Sequence, residues 1–212
     1  MKDNIITIIF ACILGLVCAS LLAFVSQFTT PFRLENEKAD RAHNFMAALE
    51  IPIDKNWDTK ELLKVFEEKV RVTELGSFVL YEYIEGDSDS PLPKAIAIEF
   101  SGAGLWAPIK GVIAFEPDLK TIRGIRFYQH EETPGLGGEI SSEWFQSQFQ
   151  KKQIISKDGT PGFLINKPGP RAEIDINAVD GITGATMTSD LVQIILDTLA
   201  KKLWKERSKY VR

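Results

Sequence analysis

The chain has 212 residues, enough for one globular domain and an anchoring segment. Its composition is that of an ordinary globular protein, and 25 basic against 29 acidic side chains leave a net charge of −4, which excludes a general nucleic-acid binder. The two cysteines, Cys12 and Cys18, are too few for an iron–sulfur cluster held by this chain alone.

Residues 4–30 carry no charged side chain and include Ile-Ile-Thr-Ile-Ile-Phe-Ala-Cys-Ile-Leu-Gly-Leu-Val, long enough for a membrane-spanning helix. A cleaved signal peptide would have a shorter apolar region followed by a small-x-small site. Residues 1–30 therefore read as an anchor in the lipid bilayer. Both cysteines fall inside it, so the rest of the chain has no disulfide and no thiolate metal site. Lys2 stands before the span and Arg33, Lys38 and Arg41 after it; by charge count the C-terminal part faces the cytoplasm.

Residues 31–71 read as a juxtamembrane helical segment. Its first helix has Leu34, Ala42, Phe45, Met46 and Leu49 on one side, His43 at the surface, and Pro52 beyond its end. Asp58-Thr59-Lys60-Glu61 has the pattern of a capping box, opening a second helix with Leu62, Leu63, Val65, Phe66 and Val70. Near Val72 the period changes. Residues 71–73, 78–84, 95–100, 109–115 and 121–128 read as short strands, with a Gly86-to-Pro93 loop and a Glu116-Pro117-Asp118-Leu119-Lys120 turn among them. Short connections predict a mainly antiparallel sheet, and helices on either side of it in sequence predict an α+β domain over residues 72–200.

Residues 142–149 read as a short helix with Trp144, Phe145 and Phe149 inward. Residues 151–175 read as loop and strand, with turns at Lys157-Asp158-Gly159 and Lys167-Pro168-Gly169-Pro170. A final helix carries Leu191, Ile194, Ile195, Thr198 and Leu199 at helical spacing, with Thr188 or Ser189 as N-cap and Asp190 in the first turn. Residues 201–212 form a basic tail, read as a solvated helix end or as a contact with anionic lipid or a partner.

Three connecting stretches carry the chemistry. Ser101-Gly102-Ala103-Gly104-Leu105-Trp106-Ala107-Pro108 and Glu131-Glu132-Thr133-Pro134-Gly135-Leu136-Gly137-Gly138 combine glycines with apolar residues; they read either as tight turns or as loops whose backbone approaches a ligand. Asp180-Gly181-Ile182-Thr183-Gly184-Ala185-Thr186-Met187-Thr188 gathers small residues and hydroxyls ahead of a helix. It reads either as a capped turn or as a phosphate site at the helix N-terminus. Lys167 reads as a solvated side chain or as a phosphate contact. No nucleophile–base–acid set and no metal-ligand spacing accompanies them.

The Asp180–Thr188 string resembles the flavinylation motif of FMN-binding domains in ion-pumping respiratory complexes. These include the C subunit of the Na+-translocating NADH:quinone reductase and the G subunit of the Rnf complex. Glu-Thr-Pro-Gly-Leu-Gly and Gly-Leu-Trp resemble the same family, the fuller strings being closer to the sodium-pump protein. The resemblance implies FMN joined through its phosphate to Thr186 by a Mg2+-dependent flavin transferase that uses FAD. Thr183 stands where the family usually has serine. Asp180, Gly184, Ala185, Thr188 and Lys167 would surround the phosphate; Trp106, Glu132, Thr133, Leu136 and Gly137 would surround the flavin ring. It further implies an electron relay, with no catalytic residue of its own, from an iron–sulfur centre to another flavin subunit on the way from NADH to quinone. The protein would be a single-pass component of a bacterial inner membrane with its domain extracytoplasmic, against the charge count. The alternatives are an Rnf-type subunit and a flavin-free membrane-tethered binding or sensor module.

Overall fold

The computed structural model describes residues 2–85, 92–167 and 175–210, with the backbone only of Lys2 and Asp3. The Gly86-to-Pro91 part of the expected loop and the Pro168-Gly169-Pro170 turn lie outside the described residues. The chain divides into two units, the first ending at Asp40 and the second spanning Arg41–Arg212.

Helix α1 (Lys2–Ala48) begins in the first unit and contains a stretch of mean hydropathy 2.9, none of it buried, long and apolar enough to cross a membrane. The helix does not stop at Pro31. In the turn before it, the Thr29 and Thr30 hydroxyls donate back to the carbonyls of Val25 (2.9 Å) and Ser26 (2.6 Å), four residues earlier, as helical threonines do. The first unit ends at Asp40, and Ala42, Phe45, Met46 and Leu49, at the end of the same helix, are buried within the second unit.

In that unit α2 (Thr59–Lys69) starts at the expected capping box: the Glu61 N–H donates to Asp58 Oδ1 (2.8 Å) and the Asp58 N–H to Glu61 Oε2 (3.3 Å). Strands β1 (Val70–Leu75), β2 (Phe78–Tyr83), β3 (Ala95–Ala103), β4 (Pro108–Phe115) and β5 (Ile122–Gln129) form one antiparallel sheet in chain order. Alternation along β2 divides its faces. Leu80 points into the main core with Ile98, Ile113 and Phe127, whereas Tyr81 packs on Phe45 at 4.5 Å between ring centroids. The end of α1 therefore covers one face of the sheet and the C-terminal half of the chain covers the other.

A 3-10 turn (Gly137–Ser141) and α3 (Glu143–Ser147) follow β5. Phe145 and Phe149 are inward as expected, but Trp144 is 55% exposed, because it lies off the i, i+4 line that the two phenylalanines share. A short parallel pair, β6 (Leu164–Asn166) and β7 (Ala178–Asp180), leads into α4 (Thr186–Tyr210). The inward face of α4 is rotated from the expected one. Val192, Ile195, Leu196, Leu199, Ala200 and Leu203 are buried and sustain helical spacing over three turns, while Ile194 and Thr198 face out. Gly102 lets the helix settle on β3, since a Cβ there would lie 2.3 Å from Ile195 Cγ1. The basic residues 201–210 are the end of α4, as one of the two expected readings had it: Lys201, Lys202 and Lys205 are exposed, while Leu203 is buried, Arg207 Nε donates to the Asp118 carbonyl (2.6 Å), and the Tyr210 hydroxyl donates to buried Glu82.

Candidate cofactor site

The site is built where β7 turns into α4. The end of β7 is held like a paired strand: the Asp180 N–H donates to Gln148 Oε1 (2.8 Å), and Gln148 Nε2 donates back to the Asp180 carbonyl (3.3 Å). The chain then turns through Thr183 and Gly184, with the Ala185 N–H on the Ile182 carbonyl (3.1 Å). Gly184 adopts φ +80°, which favours glycine, and its Cβ position lies 3.2 Å from Leu136 Cδ2. The first bond into the helix runs from the Ser189 N–H to the Ala185 carbonyl (3.0 Å).

The helix therefore starts at Thr186, earlier than a cap at Thr188 or Ser189 requires. Both of those side chains are buried and turned to other work. Ser189 Oγ accepts the Ile182 N–H (3.3 Å), and Thr188 Oγ1 donates to Glu132 Oε2 (2.7 Å). Thr186 is exposed at the first helical position. Among the described residues no protein acceptor takes the N–H groups of Thr186, Met187 or Thr188, which precede the helical ladder.

The loop after β5 meets this helix start. His130 Nε2 donates to Ser141 Oγ (2.7 Å), whose hydroxyl donates to the Phe127 carbonyl (3.0 Å), and His130 Nδ1 accepts the Glu132 N–H (3.3 Å). Next the Leu136 and Gly138 N–H groups both close on the Thr133 carbonyl, at 3.1 and 2.9 Å, around Gly135 at φ +73°. Glu132 is 5% exposed, and its second oxygen accepts the Leu105 N–H at 2.7 Å. One carboxylate thereby touches all three stretches singled out in the sequence.

Between them opens a cavity of about 250 Å3. Of the expected residues, Glu132, Thr133, Leu136, Gly137, Gly184, Ala185, Thr186 and Thr188 line it; Leu105 and Met187 complete the wall. Trp106 lies outside that lining and is 70% exposed, since its neighbour Leu105 occupies the wall. Asp180 and Thr183 also lie outside it. Lys167 lines a separate small crevice with Thr186 and Asp190, behind the helix start. Leu105 and Met187 were missed in the sequence, although the first sits beside Trp106 in Gly-Leu-Trp and the second between the two motif threonines.

The chemistry of this wall suits a phosphorylated aromatic group. Three open N–H groups and a hydroxyl at a helix start can receive a phosphate. Leu105, Leu136 and Met187, all substantially exposed, offer an apolar surface to a ring.

The fold and site are of the class seen in the FMN-binding domain: that family's model matches residues 104–201, the stretch that contains the whole cavity wall. The chain is similar to C subunits of the Na(+)-translocating NADH-quinone reductase from several bacteria. The Yersinia pestis homologue is 42% identical over 98 residues, covering 46% of this chain and 36% of the relative. The one from Vibrio campbellii is 31% identical over 152 residues, covering 67% and 56%. The matched part thus spans between about a third and somewhat over half of these curated relatives. The fold is shared with the crystal structures of NqrC from Shewanella oneidensis (TM-score 0.68, 21% identity, 82% of this chain and 98% of that one) and of its counterpart from Parabacteroides distasonis (TM-score 0.67, 24% identity, 84% and 96%).

Proposed function

We propose that this chain is a membrane-anchored electron carrier of a Na+-translocating NADH:quinone reductase, with FMN joined through its phosphate to Thr186. The observation that supports this most is the exposed Thr186 hydroxyl, set at the start of α4 beside open N–H groups and an apolar-walled cavity. A flavin transferase would join the threonine oxygen to the FMN phosphate of FAD, with the pyrophosphate bond breaking, AMP leaving and the hydroxyl proton lost. FMN supplies reversible one- and two-electron chemistry when bound. The protein's part is retention and tuning. The N–H groups of Thr186, Met187 and Thr188 would hold the phosphate, with Thr183 in the preceding turn and Lys167 in the neighbouring crevice that Thr186 also lines, and Leu105, Leu136 and Met187 would shield the ring from water.

In this reading the carrier takes electrons from an iron–sulfur centre and passes them to another flavin subunit of the same complex, and its domain lies outside the bacterial inner membrane. An ester to the chain keeps the flavin where no FMN pool could replace it. The test is flavin fluorescence of the denatured full chain after co-production with the transferase. Wild type is expected to fluoresce, Thr183→Ala to fluoresce more weakly, and Thr186→Ala to be dark. A fluorescent Thr186→Ala protein would move the attachment to another residue.

A further inference from the structure

Glu132 is a buried acid that the proposed function leaves without a role. Its carboxylate accepts on both oxygens, from the Leu105 N–H (2.7 Å) and the Thr188 hydroxyl (2.7 Å), and no cationic side chain among the described residues pairs with it. Two glycines make room for it. A Cβ on Gly104 would lie 2.7 Å from Glu132 Oε1, and one on Gly137 would lie 2.8 Å from Oε2 and 2.4 Å from Thr188 Oγ1. Three loops have thus given up side-chain volume or a hydrogen bond to one carboxylate. A buried carboxylate held by two neutral donors, with no cationic partner among the described residues, costs stability. Glu132 also lines the cavity itself.

We propose that Glu132 is the positioning residue of the flavin site: its carboxylate ties the start of α4, and so the Thr186 hydroxyl, to both glycine loops, and it sets one negative charge beside the bound ring. This rests on the assignment of FMN to Thr186. Two effects follow. Geometrically, loss of the carboxylate removes the acceptor of the Leu105 N–H and of the buried Thr188 hydroxyl, and with it the tie between the two loops and the helix start. Electrostatically, a fixed negative charge in a poorly solvated wall opposes the gain of negative charge on reduction, so it holds the flavin potential down.

The two effects separate by substitution in the full chain, co-produced with its transferase. In Glu132→Gln the amide oxygen still accepts from Leu105, and the amide N–H donates to a Thr188 hydroxyl that turns to accept it. The expected result is wild-type flavinylation of Thr186 with a midpoint potential raised by about 30 mV or more, a tenfold gain for the two-electron-reduced form. Thr188→Val keeps the charge and loses one tie; it is expected to slow flavinylation severalfold, and Glu132→Ala to slow it tenfold or more. A Glu132→Gln protein that keeps the wild-type midpoint, or that fails to fold, overturns the proposal. So does a Glu132→Ala protein flavinylated at the wild-type rate. A wild-type chain that takes up no flavin would contradict the assignment of Thr186 itself, a distinct result.

Discussion

Leu136 and Gly137 are neighbours with different duties, and their substitutions separate them. Leu136 is half-exposed on the cavity wall, so Leu136→Ala is expected to change stability by no more than about 0.5 kcal/mol. Flavinylation should persist, while the flavin midpoint shifts because one apolar wall is gone. Gly137 has no room for a side chain, with Thr188 Oγ1 2.4 Å from its Cβ position, so Gly137→Val is expected to cost about 1–3 kcal/mol and to disturb the helix start. Thermal melts and spectroelectrochemical titration of both variants check this; equal midpoints in Leu136→Ala and wild type would remove Leu136 from the ring site. At this scale the sequence was informative where chemistry depends on spacing. The Asp180–Thr188 stretch and the loop holding Glu132 and Leu136 stood out in the sequence for their spacing of small residues and hydroxyls, and the structure brings the two together on one cavity wall. Trp106 stands outside the cavity lining, and composition does not say which residue of a glycine-rich loop turns inward. Leu105 takes that place, and it reaches Glu132 through its backbone N–H, which no side-chain pattern reveals.

Among the elements, the capping box of α2 was legible because four consecutive residues decide it. The phase of α4 was not: Leu191 and Ile194 fit a helical stripe as well as Val192 and Ile195 until the packing on β3 is seen. The β6–β7 pair joins two strands of three residues that are remote in sequence, a length too short for periodicity to mark. The end of α1 is tied to the sheet by Arg41, whose Nη2 donates to Glu99 Oε2 (2.9 Å) and to the Tyr81 hydroxyl (2.8 Å), with Tyr128 also donating to Glu99. Burial alone would raise the Glu99 pKa, but the hydrogen bonds from Arg41 and Tyr128 and the charges of Arg41 and Lys110 outweigh it and hold it below the ordinary value of 4.5. A carboxylate with a lowered folded pKa stabilises the fold above its unfolded value, and that contribution fades as pH falls through 4.5 toward the folded value. Denaturant titrations at pH 7 and pH 3.5 should therefore show a smaller acid loss in Glu99→Gln than in wild type. Equal losses would mean that this cluster does not govern the acid response.

For the whole molecule, the charge flanking the span and the family resemblance point to opposite sides of the membrane. We propose the extracytoplasmic side for the second unit. With Cys12 and Cys18 replaced by serine and Glu67→Cys added at an exposed site of α2, an impermeant thiol reagent is expected to label intact spheroplasts. Labelling only after lysis would return the domain to the cytoplasm and remove the need for a permanent flavin bond. The proposed function depends on that bond. Its most direct test is tandem mass spectrometry of the peptide spanning residues 180–190, from full-length chain produced with an active flavin transferase. FMN is predicted on the Thr186 oxygen, with Thr183, Thr188 and Ser189 unmodified. A peptide without FMN, or with FMN on one of those other hydroxyls, would contradict it.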